Sequence, residues 1–110
     1  MVRFPRAMTP TSAATLPRDL QAHPRLLVRV TASWCGPCRA MGPLLQQFAT
    51  RHPEVTVRDL DFDANPELMQ SLGIRSVPTL LFYRQGRLVN SAVGNPGSVA
   101  GIENVIAGQG

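Results

Sequence analysis

Cys35 and Cys38, the only two cysteines among 110 residues, stand in the run Trp34-Cys35-Gly36-Pro37-Cys38. At this spacing two thiols can close a ring as a redox couple, or supply half of a metal site. A crosslink over so short a loop removes little chain entropy, so it is no staple for a fold. Structural zinc asks for four ligands, and the remaining nitrogen donors, His23 and His52, lie singly in proline-flanked segments without paired spacing. Thiol redox chemistry is the better account.

Such chemistry needs one sulfur held as a thiolate, and the flanking segments supply the place for it. Residues 26–32, Leu-Leu-Val-Arg-Val-Thr-Ala, form a β-branched run with one charge and read as a buried strand. That strand feeds directly into the cysteine turn. Beyond it, Met41, Leu44, Leu45 and Phe48 recur at helical spacing within residues 39–50, with Pro43 expected to kink the helix. Cys35 therefore falls at a helix N-terminus, where unpaired N–H groups and the helix dipole lower a thiol pKa below its free value of about 8.5. Cys38, one turn further on the same face, is the resolving thiol. Pro37 stiffens the turn, and Gly36 leaves the approach to an exposed Cys35 open.

The remaining pattern predicts the scaffold. Residues 55–62 alternate as a second strand. Asn65-Pro66-Glu67 opens a short helix, with Asn65 as its capping side chain and Gly73 near its end. Residues 79–83 and 88–93 flank Arg84-Gln85-Gly86-Arg87 as an antiparallel hairpin, and Val99, Ile102, Val105 and Ile106 mark a last amphipathic helix. Residues 1–24, with prolines at 5, 10, 17 and 24, carry little pattern: Phe4 is assigned to a short edge strand, and Pro17 opens a brief helix. The fold class that follows is α/β, a central mixed β-sheet with helices on both faces, in one domain.

Composition narrows the function further. The net charge is +4, and all 11 basic residues are arginines, so lysine chemistry is excluded. The arginines are scattered and aromatics make up only 5% of the chain, which argues against nucleic-acid binding. The sparse cysteines fit a reducing compartment, and no apolar run suggests a signal peptide or membrane span, so a cytoplasmic, membrane-free protein is expected.

The cysteine run, Pro43, Asp63-Ala64-Asn65-Pro66, Gly73-Ile74-Arg75-Ser76-Val77-Pro78-Thr79, Gly86 and Val93-Gly94 occur in an order and spacing that resemble the thioredoxin family. The match spans about residues 26–107, so residues 1–24 stand as a poorly matched segment before a domain at 25–110. The resemblance implies a cis peptide at Val77-Pro78, and an apolar platform of Trp34, Gly36, Pro37, Val77, Pro78 and Gly94 on which a substrate segment pairs with the Val77 backbone. For Trp34 the alternative is an ordinary core aromatic. It also implies reduction of protein disulfides, and re-reduction by a flavin-containing thioredoxin reductase drawing on NADPH. This chain carries no dinucleotide fingerprint, so no bound cofactor is expected beyond its own redox-active disulfide. A monomer is the simplest assembly.

One departure stands out. Where the family has a buried aspartate and, on the next strand, a lysine, this chain has Arg29 and Asp59. Either the exchanged pair neutralises itself, or Arg29 extends to solvent without touching Asp59. In relatives the aspartate is held to deprotonate the resolving thiol. Here Asp59 or water must substitute, while a nearby guanidinium would stabilise thiolates and ease reduction of the disulfide. The rival functions are a more oxidising thiol oxidoreductase or isomerase, and a docking module whose redox activity is incidental.

Overall fold

The structure, a computed structural model, describes residues 8–108. The edge strand assigned to Phe4 lies outside them. In chain order the elements are β1 (Thr9–Thr11), α1 (Leu16–Ala22), β2 (Arg25–Thr31), α2 (Gly36–Arg51), β3 (Thr56–Asp61), α3 (Pro66–Leu72), β4 (Thr79–Arg84), β5 (Arg87–Val93) and α4 (Val99–Ile106). The sheet order is β1-β3-β2-β4-β5. β3 runs parallel to both β1 and β2, whereas β4 is antiparallel to β2 and β5.

Strand periodicity sorts the core into two layers. Leu26, Val28 and Val30 of β2 join Leu60, Leu81 and Tyr83 in a cluster with Leu16 and Met69, under α1 and α3. Leu27 faces the other way, with Val57, Leu80 and Phe82, and meets Met41, Leu45 and Phe48 of α2 and Ile102 of α4. The helical stripe at Met41, Leu44, Leu45 and Phe48 thus turns its most buried members to the sheet. Each such apolar side chain withdrawn from water contributes about 1.5–3 kcal/mol before chain entropy is set against it. Because alternate residues share a face, Arg29 and Asp59 lie on the α2 side with Leu27 and Val57. The register pairs them directly, Arg29 opposite Asp59.

Three local features differ from or refine the expectations. Asn65 stands at the N-cap of α3 but makes no side-chain cap bond. Its amide instead donates to the Asp61 carbonyl at 2.9 Å and accepts from the Ala13 N–H at 3.0 Å, joining the segment before α1 to that after β3. The hairpin closes through two residues, Gln85 at φ 53° and Gly86 at φ 78°, with a bulge beside Phe82 and Tyr83. Two consecutive left-handed residues match the strand twist in so tight a turn. α2 runs unbroken through Pro43, which has no N–H to offer the Arg39 carbonyl.

Candidate active site

β2 delivers the chain to the cysteines, and the helix begins at once. Cys35 is the N-cap of α2, in extended backbone at φ −93° and ψ 110°, and Pro37 lies in the first turn, where its missing N–H is no loss. The Cys35 sulfur accepts a hydrogen bond from the Cys38 N–H at 3.1 Å. A donor among the orphan amides of the first turn favours negative charge on that sulfur. Cys35 and Cys38 form a disulfide, with Cα atoms 5.3 Å apart.

The pair is more enclosed than the sequence suggested. Cys38 is fully buried and Cys35 retains only 4% exposure, in a cluster with Ala32 against which Phe62 and Val77 pack. An openly exposed Cys35 is therefore a mistaken expectation for the disulfide form. The covering side chains come from distant segments that short-range pattern does not bring together. The opposite holds for Trp34, which is 63% exposed and is no core aromatic. Its indole N–H donates to Asp63 Oδ2 at 2.6 Å, fixing the ring beside the cysteine turn.

Long-range bonds assemble the rest. The Val77–Pro78 peptide is cis. The Gly94 N–H donates to the Pro78 carbonyl at 2.8 Å, and Gly94 itself sits at φ 93°, a conformation that favours glycine. Next to it the Asn95 amide reaches the Pro37 carbonyl at 3.5 Å, so the loop after β5 touches both α2 and the segment before β4. Val93, at 75% exposure, joins Trp34 as an uncovered apolar group on this side. Gly36 is exposed, and a Cβ built there would approach nothing closer than Arg39 Nη2 at 3.9 Å. A groove of about 420 Å³ lined by Phe62, Asp63, Pro66, Met69 and Ile74 adjoins the site.

Beneath the first turn of α2 lies the exchanged ion pair. Arg29 is 8% exposed. Its Nε and Nη2 donate to the two carboxylate oxygens of Asp59 at 2.9 and 2.8 Å, and its Nη1 donates to the Cys38 carbonyl at 2.8 Å. Arg29 therefore does not reach past Asp59 to solvent. The fork geometry of a guanidinium satisfies carboxylate and carbonyl together, which lets so polar a group sit under a helix.

Sequence reasoning gave no role to Phe62, Asp63 or Asn95. Asp63 had a signal, its place three residues before Pro66 in a run already singled out; Phe62 and Asn95 had none beyond adjacency to such runs. The two histidines stay apart from the cysteines: His52 lies between Glu54 and Glu103, and His23 near Asp19 and Arg58. Among the described residues no group of three or more His, Cys, Asp or Glu side chains is placed to hold a metal ion. Among them also, no helix is long and apolar enough to cross a membrane.

Comparison with known proteins agrees with this geometry. The Thioredoxin family model matches residues 8–107. A thioredoxin of Alicyclobacillus acidocaldarius is 43% identical over 82 residues, 74% of this chain and 78% of that one. A bifunctional thioredoxin reductase/thioredoxin of Mycobacterium leprae is 34% identical over 91 residues, covering 82% of this chain and 20% of that protein. Mitochondrial thioredoxin 3 of Saccharomyces cerevisiae, in its oxidized form, shares the fold with a TM-score of 0.80 at 23% identity, over 92% of this chain and 93% of that one.

Proposed function

The chain belongs to the thioredoxin family and is a thiol-disulfide oxidoreductase, and on that premise we propose that it works as a general reductase of disulfides in protein substrates. In the reduced form the Cys35 thiolate attacks a substrate disulfide. A bond forms between Cys35 and one substrate sulfur, and the other leaves as a thiolate. Cys38 then attacks the Cys35 sulfur, closes the internal disulfide and releases the second substrate sulfur. The observation that carries this assignment is the Cys35–Cys38 disulfide at the start of α2, with the Cys38 N–H bonded to the Cys35 sulfur.

The substrate segment docks in extended form along Val77, pairing with its backbone, while Trp34, Gly36, Pro37, Pro78 and Gly94 make the surrounding platform. Support comes from the packing of Val77 against the cysteines and the exposure of Trp34. Electrons return from NADPH through a flavin-containing thioredoxin reductase, a partner suggested by the Mycobacterium leprae relative whose name joins the two activities. The protein acts as a monomer in the cytoplasm, with no cofactor beyond its own two sulfurs.

Insulin-disulfide reduction with a chemical reductant tests the assignment. Wild type should turn over and Cys35→Ser should not, while Cys38→Ser should accumulate mixed disulfides with protein substrates. An inactive wild type, or a Cys38→Ser protein that traps nothing, would refute it.

A further inference from the structure

Reduction by this pair requires Cys38 to become a thiolate inside the protein, because its side chain is fully buried. Burial alone disfavours that charge, so a neighbouring group has to compensate. The charged group that reaches this residue is Arg29 of β2, bonded to the Cys38 carbonyl, and Asp59 of β3 is in turn paired with Arg29. The other charged groups near the site are engaged at the surface: Asp61 accepts from the Ala64 N–H, Asp63 from the Trp34 indole, and Arg39 donates to the Ser33 carbonyl.

Asp59 is poorly suited to take the proton. Both of its oxygens accept from Arg29, at 2.9 and 2.8 Å, and protonation would undo a charge-assisted bidentate pair. The guanidinium, in contrast, lies between Asp59 and Cys38, since its third donor reaches the Cys38 carbonyl at 2.8 Å. The ion pair thus presents its positive end to the resolving cysteine and its negative end to β3.

Resting on the reductase assignment above, we infer that Arg29 is a positioning residue for the resolving step, holding the Cys38 backbone and stabilising Cys38 as a thiolate, while Asp59 orients the guanidinium and is not the base. The Cys38 proton passes to solvent water. The Cys38 thiolate attacks the Cys35 sulfur of the mixed disulfide, the Cys35–Cys38 bond forms, and the Cys35–substrate bond breaks. The substrate sulfur leaves with the electron pair and takes a proton from water, so no further reactant is needed.

The thiolate absorbance of Cys38, titrated in a Cys35→Ser background, tests this directly. Arg29→Met should raise the titration midpoint by about one pH unit, a roughly tenfold loss of thiolate near neutrality. Arg29→Lys should recover most of that loss, and Asp59→Asn, which leaves the cation unbalanced, should move the midpoint down. In wild-type background, stopped-flow fluorescence of Trp34 should show slower decay of the mixed disulfide for Arg29→Met and no slowing for Asp59→Asn. An unchanged midpoint in Arg29→Met, or slower resolution in Asp59→Asn, would overturn the inference. Where Arg29→Met does not fold, Asp59→Asn decides it: a midpoint below that of wild type supports the inference, and an unchanged or higher one overturns it. Wild-type insulin reduction, run alongside, separates failure of this inference from failure of the reductase assignment.

Discussion

Removing one partner of the Arg29–Asp59 pair should destabilise the protein far more than removing both. The two side chains retain 10% and 15% exposure, and their closest nitrogen and oxygen are 2.8 Å apart. With charge centres roughly 4 Å apart and an effective dielectric of about 20, their attraction is about 4 kcal/mol. Asp59→Val forfeits that attraction and strands a guanidinium under α2; Arg29→Met strands a carboxylate and deprives the Cys38 carbonyl of the Arg29 Nη1 donor. Each single variant should lose about 3–5 kcal/mol, the range for breaking a buried pair. At roughly 4 °C per kcal/mol for a domain near 100 residues, the melting temperature should fall by roughly 10–20 °C. The double variant places apolar groups of β-compatible shape in the same layer as Leu27 and Val57, and should be more stable than either single one. Urea denaturation of all four proteins, in oxidised and reduced forms, measures this. Single losses below about 1 kcal/mol that simply add in the double variant would mean that the pair behaves as a solvated surface pair, and the reasoning would fail.

Two further outcomes follow from other parts of the fold. At Gly101 in the first turn of α4, an added Cβ would lie 2.7 Å from Pro96 Cβ and 3.0 Å from the Pro96 carbonyl oxygen. Gly101→Ala should therefore lose about 1–2 kcal/mol in urea denaturation, the crowding outweighing the roughly 1 kcal/mol gain in helix propensity; a stabilised variant would contradict the packing at Pro96. His52, which links the end of α2 to Glu103 of α4 at 2.7 Å, has its pKa raised chiefly by that hydrogen bond and further by Glu54. Because the folded-state pKa is above the unfolded one, the stabilisation is complete below about pH 6.5 and fades as pH rises through the folded value. Stability of wild type relative to His52→Gln should thus be greater at about pH 5.5 than at about pH 8.5, and an equal difference at both would refute the linkage.

Much of the site was legible because it is local. Cys35, Cys38 and Pro37 belong to one strand-to-helix junction, and the period of residues 26–32 and 39–50 fixes which way that junction faces. The pairing of Arg29 with Asp59 was half legible: alternation puts both on the face shared by Leu27 and Val57, but only the crossover through α2 sets the register that brings them opposite each other. What stayed hidden depends on contacts between distant segments. Strand β1 has only three residues, with Pro10 at its centre and no apolar alternation; its pairing with β3 and the 2.6 Å bond from Thr11 to Asp19 tie it to the fold. Asn65 has the identity of a cap, yet its amide is drawn to Ala13 and Asp61. The near burial of Cys35 arises from Phe62 and Val77, which lie far from it in sequence.

The central claim is that Cys35 is the acidic, attacking thiol and Cys38 the sheltered one. Timed alkylation of the fully reduced protein with iodoacetamide across pH, resolved by peptide mass, tests it most directly. Cys35 should be modified first, with a midpoint below the free-thiol value of about 8.5, while Cys38 stays protected. Earlier modification of Cys38, or a Cys35 midpoint at or above the free value, would contradict the account.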